Sequence, residues 1–129
     1  MTAPVPKAVT LHKQTKVLEL RWEDETHHLP AELLRVLSPS AEVRGHGAGD
    51  RILQTGKKYV AITHLEPVGR YALRLVFDDG HDSGLYTWAY LRDLGDRQER
   101  HWADYERELK QANASRLPAV TLKAWTPEA

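Results

Sequence analysis

Cysteine is absent from this sequence of 129 residues. That single absence excludes disulfide bridges, thiol nucleophiles and every thiolate metal centre. Net charge is absent too, because eighteen basic residues balance eighteen acidic ones. A chain that neutralises several phosphates needs a basic excess somewhere, so no nucleic acid partner is expected. No stretch approaches the roughly 18 apolar residues of a membrane span. The N-terminal residues lack the apolar core of a signal peptide, and the expectation is a cytoplasmic protein with no membrane partner. Repeats and low-complexity tracts are also missing. The remaining composition, 41% hydrophobic and 28% charged, is that of a folded chain long enough for one core and too short for two full-sized domains.

The most patterned stretch runs over residues 77–95, Phe-Asp-Asp-Gly-His-Asp-Ser-Gly-Leu-Tyr-Thr-Trp-Ala-Tyr-Leu-Arg-Asp-Leu-Gly. Asp79-Gly80 signals a hairpin turn, since Gly80 supplies the positive φ of a two-residue loop. His81 follows at the start of the next strand. Trp88, Leu91 and Leu94 then recur at helical spacing, and Gly95 falls where a left-handed C-cap is expected.

The rest of the chain reads around that stretch. Residues 1–15, with Pro4 and Pro6, are expected to be a disordered tail. Leu18, Leu20 and Trp22 alternate with Glu19 and Arg21, the period of a half-buried strand. Residues 26–29 pair back as a second strand ending at Pro30, which suits the first turn of a helix over 31–37. Residues 38–58 carry Gly45, Gly47, Gly49 and Gly56 and form a long loop, either functional or disordered. Strands are expected over 59–66 and 71–77, the latter with Tyr71, Leu73, Leu75 and Phe77 on one face. Asp96 is a candidate N-cap for a C-terminal helix over 96–113 with a stripe of Trp102, Tyr105 and Leu109. Asp96 with Arg100 and Glu106 with Lys110 are expected ion pairs along it. An irregular tail, residues 114–129, follows. The predicted fold is α+β, a small antiparallel sheet built as a meander and flanked by two or three helices.

Seven histidines without cysteine invite a metal hypothesis. The spacings oppose it: there is no His-Glu-x-x-His, and the neighbours His27 and His28 point to opposite faces of a strand as solvated surface residues. None of Ser38, Ser40 and Ser83 lies in Gly-x-Ser-x-Gly, and no base or orienting group stands beside them in sequence. Arg44-Gly45-His46-Gly47 could cradle an anion with its amides, or be a flexible loop. Tyr86, Trp88 and Tyr90 read mainly as core, with a ligand platform as the second reading.

Four motifs in order, Leu18-Glu-Leu-Arg-Trp22, Leu33-Leu-Arg-Val-Leu-Ser-Pro-Ser-Ala-Glu-Val43, Val68-Gly-Arg-Tyr-Ala-Leu73 and Asp79-Gly-His-Asp-Ser-Gly-Leu-Tyr-Thr-Trp-Ala-Tyr-Leu-Arg92, resemble the gamma-butyrobetaine hydroxylase-like N-terminal domain over residues 16–95. The resemblance implies a small α+β domain that occurs alone in bacteria, ahead of the oxygenase domain of carnitine-synthesis hydroxylases, and fused to some iron–sulfur-carrier ATPases. It also implies a zinc module in the hydroxylases, with three cysteines after the first helix and the histidine of Asp-Gly-His as ligands. Those positions here are Ser38, Ser40, Val43 and His81, so one ligand of four is retained and zinc is not an expected cofactor.

The oxygenase activity belongs to a catalytic domain for which this chain has no room. The implied protein is a non-enzymatic accessory or protein-interaction module with an unknown protein partner, linked through domain fusions to iron–sulfur or metal-related proteins. The alternative is a small-ligand or metal-binding protein using His81, His46 and Arg44 on the 38–58 loop. Trp22, Gly80, His81 and Trp88 are assigned structural roles, with His81 tying the loop at Ser38 to the sheet by a hydrogen bond.

Overall fold

Alternation of Leu18 and Leu20 with charged neighbours produces the central strand of an N-terminal sheet. The structure, a computed structural model, describes residues 4–44 and 51–119, with only the backbone of Arg44. His46 and the glycines around it lie outside the described residues, as do Val120, Leu122 and Trp125 of the expected tail.

Strands β1 (Ala8–His12), β2 (Val17–Arg21) and β3 (Thr26–Pro30) form an antiparallel sheet in that order. Helix α1 (Ala31–Val36) and the single turn α2 (Ala41–Arg44) follow. Strands β4 (Ile62–Val68), β5 (Ala72–Phe77) and β6 (Leu85–Thr87) make a second antiparallel sheet, and helices α3 (Trp88–Asp96) and α4 (Gln98–Gln111) complete the described chain. The class is α+β as expected, but with two three-stranded sheets in place of one. Consecutive strands are neighbours in both sheets, so the meander holds in each.

Strand β1 corrects the expectation of a disordered tail over residues 1–15. Val9 and Leu11 are half-buried and alternate with exposed residues, a pattern too short to stand out beside two prolines. The ladder to β2 holds the strand, and the Lys7 amide reaches the Arg21 carbonyl at 2.7 Å. Strand β4 lies two to three residues later than expected and contains Pro67, which an edge strand tolerates because its outer side needs no donor. On β5 the expected inward face is correct for Leu73, Leu75 and Phe77, whereas Tyr71 stands exposed before the strand begins.

Around the patterned stretch, Gly80 does adopt a positive φ of 90°. The tight two-residue hairpin is nevertheless replaced by a longer connection. Phe77 accepts from Gly80 and donates to His81, and β6 starts only at Leu85. His81 therefore sits in a loop instead of opening a strand. Gly95 is not a left-handed cap either. It lies within α3, where a Cβ would stand 2.4 Å from Cγ of His27 and 2.9 Å from its Cβ. The absent side chain lets α3 approach β3. Asp96 ends α3 and gives its carboxylate to Arg92 and His27 at 3.1 and 2.9 Å, so it neither caps α4 nor pairs with Arg100.

One cluster forms the core, including Leu18, Leu20, Leu29, Leu33, Leu34, Leu75, Tyr86, Leu91 and Tyr105. Helix α1 is buried along its whole length, its charged residues Glu32 and Arg35 included. Two tyrosine hydroxyls reach its last turn from outside: Tyr86 donates to the Leu34 carbonyl and Tyr90 to the Leu37 carbonyl. These carbonyls have no partner within a helix this short, so the tyrosines act as its C-terminal cap.

Gly95→Ala gains up to about 1 kcal/mol in helix propensity but overpacks against the near end of His27, at a cost of about 1–3 kcal/mol. Urea denaturation should show net destabilisation, and the double variant His27→Ala/Gly95→Ala should lose less than the two single variants summed. Tyr86→Phe should cost about 1–2 kcal/mol by stranding the buried Leu34 carbonyl; an unchanged denaturation midpoint would contradict the capping role.

Candidate functional site

Where α1 ends, the chain meets the β5–β6 connection, and the residues picked out from sequence converge there. Asp79 occupies the first turn after β5. Its Oδ2 accepts from Arg35 Nε at 2.8 Å and from Lys57 Nζ at 2.5 Å, and its Oδ1 accepts from the His81 amide at 3.1 Å. Burial on its own would raise the Asp79 pKa, but the bonds from Lys57, the His81 amide and Arg35 outweigh it and bring it down to about 2. The anchored carboxylate thus fixes the loop that carries His81.

His81 is buried, with a relative exposure of 6%. Ser38 Oγ lies 2.8 Å from Nε2, Glu42 Oε2 lies 3.2 Å from Nδ1, and the Phe77 ring packs at a centroid distance of 6.0 Å. Burial lowers the His81 pKa, reinforced by the positive charge of Arg35 and opposed by Glu42 and Asp79. The neutral ring can therefore donate from Nδ1 to Glu42 and accept the Ser38 hydroxyl proton at Nε2. Ser38 Oγ in turn accepts from the Ser40 amide at 3.3 Å, Ser40 Oγ meets Ser83 Oγ at 2.7 Å, and the Glu42 amide donates to Ser40 Oγ at 3.2 Å. Val43 is buried beside them at 1% exposure.

The order Ser38, His81, Glu42 is that of a nucleophile, a base and an orienting acid. Sequence reasoning found no base or orienting group for a serine; the fold brings both from positions four residues downstream and in a different sheet connection. Access is the opposing observation. Ser38 is 1% exposed, and a Cβ on Gly84 would stand 2.5 Å from Ser38 Oγ, so the backbone of residue 84 covers the hydroxyl.

The implied zinc ligands do not fit a metal. Two are neutral hydroxyls already bonded within the protein, one is a valine, and both ring nitrogens of His81 have partners. Elsewhere among the described residues, Glu25, His27 and Asp96 bring three ligand atoms together. The Arg92 guanidinium fills that position, 2.9 Å from Asp24, 3.3 Å from Glu25 and 3.1 Å from Asp96.

The reading of His27 and His28 as solvated neighbours is half corrected. The His28 side chain is 61% exposed, whereas that of His27 is 16% exposed and packs edge-on to Trp22 at 5.9 Å. Two glycines, 84 and 95, marked these close approaches in the sequence, but a glycine does not name its neighbour.

Trp22 is 3% exposed and donates from Nε1 to the Pro4 carbonyl at 3.1 Å, with Arg92 over its ring. Trp88 is half-buried and donates from Nε1 to the Arg70 carbonyl at 2.7 Å. Arg44 lies in α2 by its backbone, and His46 is outside the described residues, so neither is brought to His81 by what is described.

Known proteins place this arrangement in a lineage. No protein of curated function matches the sequence. Two proteins solved in solution by NMR are similar in structure. One is 52% identical with a TM-score of 0.80, covering 92% of this chain and 94% of its own. The other is 43% identical with a TM-score of 0.77, covering 98% and 95%. A crystal structure from Acidithiobacillus ferrooxidans, of a DUF971-family protein with unknown function, is 38% identical with a TM-score of 0.59 over 70% of this chain and 91% of that one. The sequence profile of the family described as gamma-butyrobetaine hydroxylase-like, N-terminal, matches residues 9–92. With the profile covering β1 through most of α3, and with Ser38, Gly80 and His81 at the junction it spans, the chain belongs to the gamma-butyrobetaine hydroxylase-like N-terminal family.

Proposed function

We propose that this protein is a non-enzymatic interaction module whose His81 junction is a structural clasp. The carrying observation is that both nitrogens of His81 have partners within the chain, buried Ser38 and the Glu42 carboxylate at the surface, while Gly84 seals the neighbouring nucleophile. A catalyst must present its nucleophile to a substrate atom about 3 Å away with oxyanion donors around it. A buried hydroxyl under backbone offers neither. A ligand site at His81, with His46 and Arg44, would first have to break the two bonds its ring makes.

The surface supports recognition of another macromolecule. Tyr59 and Tyr71 are more than half exposed, and Lys16 and Lys58 flank the Tyr59 ring at 5.9 and 5.6 Å. Exposed aromatic groups of this kind are favoured at protein interfaces. No helix among the described residues is long and apolar enough to cross a membrane. Fusion of related domains to iron–sulfur-carrier ATPases directs the search for a partner towards proteins that handle iron–sulfur clusters or metals, in the cytoplasm.

The clasp reading sets a pH signature. A buried histidine whose folded pKa is lowered favours folding above its unfolded value near 6.5, and that contribution is lost as pH falls through the folded pKa. Asp79, held near 2, adds stability above about 3.8 that is lost only in stronger acid. Melting temperatures from pH 8 to 4 should therefore fall less for His81→Gln than for the parent chain, although His81→Gln starts lower. Parallel curves would sink the clasp. Native mass spectrometry of protein purified with zinc in every buffer should give the bare polypeptide mass; a stoichiometric metal or small molecule would overturn the reading of His81 as purely structural.

A further inference from the structure

We infer that the outer face of α4 is the docking surface of this module, and that it takes a basic protein segment carrying one apolar side chain between two cationic ones. The inference rests on the interaction-module reading and adds to it a place and a partner chemistry.

Between α4 and Pro30, at the junction of β3 and α1, lies a groove of about 410 Å³ whose walls include Trp102, Ala103, Glu99 and Glu106. Glu99, Trp102, Ala103 and Glu106 are three, four and seven residues apart, so they share one face of the helix. Tyr105 and Leu109 lie on the adjoining flank of the helix, buried in the core.

The acids on the exposed face stand out by what they lack. Along α3 and α4, Asp93 pairs with Arg97 and His101, Asp104 with Arg107, and Glu108 with Arg51. Glu99 and Glu106 have no ion-pair partner among the described residues, and both are exposed. Arg116 lies 4.8 Å over the Trp102 ring, but its guanidinium is held by two bonds of 2.7 Å to Glu32 and meets Glu106 only through space. It fixes the indole and leaves both rim carboxylates open to a ligand. Tyr105 supports the same ring at 5.8 Å, so the apolar floor is rigid before anything binds.

Seven residues of helix separate Glu99 from Glu106 by about 10.5 Å along the axis. Two cationic residues three apart in a polyproline II segment lie on the same side and span about 9 Å. Lysine or arginine at those two positions can lay its aliphatic stem along the indole and reach a carboxylate with its head. The apolar residue between them meets Trp102.

The probe is the peptide acetyl-Lys-Ala-Leu-Lys-amide, titrated into the ¹⁵N-labelled full chain and read by amide and indole NMR shifts. Saturable shifts at residues 98–106 and at the Trp102 indole are expected, with none from acetyl-Glu-Ala-Leu-Glu-amide. Glu99→Gln/Glu106→Gln changes two exposed side chains outside any ion pair and should weaken binding about tenfold, the effect of losing two surface ion pairs. Absent shifts, scattered shifts, or binding indifferent to the double variant would overturn the assignment.

A photo-crosslinking residue placed at Ala103, and separately at Tyr59, in producing cells distinguishes failure of the groove from failure of the module reading. Cross-links at position 103 that vanish in the double variant support the groove. Cross-links that persist there, or that form only at position 59, overturn it and leave the module reading standing. Cross-links at neither position count against both.

Discussion

Burial of a six-residue helix with charges inside it is the constraint on which the rest of this fold depends. Helix α1 supplies Leu33, Leu34 and Val36 to the core, but Glu32 and Arg35 go in with them. An unpaired buried charge costs far more than burial of one apolar side chain returns, so each must be met. Arg116 comes back from beyond α4 to meet Glu32. Asp79 comes from the end of β5 to meet Arg35. The helix is also too short to satisfy its own ends: the Ala31 amide donates to Lys16, and Tyr86 and Tyr90 supply the hydroxyls at the other end. The β1–β2 turn, the second sheet, helix α3 and the segment after α4 are thereby all brought to one helix.

The His81 clasp is a consequence of the same arrangement. Arg35 places Asp79, Asp79 holds the His81 amide, and the ring is left facing the chain that leaves α1 at Ser38. Metal would join these segments with roughly 10–16 kcal/mol in a structural zinc site. Hydrogen bonds among Ser38, Ser40, Ser83 and His81 contribute only about 1 kcal/mol each. The clasp therefore orders the junction while the core carries stability, with Ser38, Ser40 and His81 buried and hydrogen-bonded and Glu42 and Ser83 at its outer edge. Its resemblance to a catalytic triad arises because a neutral histidine with two occupied nitrogens needs a donor at one and an acceptor at the other, roles that the Ser38 hydroxyl and the Glu42 carboxylate fill here whether or not a substrate can reach them.

Much of this was legible in the sequence where a single period dominated. Strand β2, strand β5 and the apolar faces of α3 and α4 follow from alternation or helical spacing, and the order of elements from them. Elements held by tertiary contacts were not legible. Strand β1 has only Val9 and Leu11 to announce it, and pairs because β2 is beside it. Gly95 reads as a cap by position, whereas its role is set by His27, 68 residues earlier. Asp96 reads as a helix start because its partners Arg92 and His27 compete for it only in the folded chain. The junction at His81 was legible through the resemblance of its positions, while the acid at Glu42 was not, since nothing in the spacing of Ser38, Glu42 and His81 announces a contact across 39 residues.

The division between what is fixed and what is free runs along the same lines. The family profile ends at residue 92, inside α3, so α4 lies outside it. Within the profile, buried pairs and the clasp tie each side chain to several others, and a change of partner specificity there would cost stability. Helix α4 has committed Tyr105 and Leu109 to the core and Trp102 to Arg116, which leaves Glu99, Ala103 and Glu106 under no packing constraint. Pro30, at the start of the buried helix, forms the other wall of the same groove. A wall from the buried core and a wall of exposed α4 side chains give a surface whose residues can be exchanged without disturbing the fold, and that separation is the physical reason to place recognition on α4.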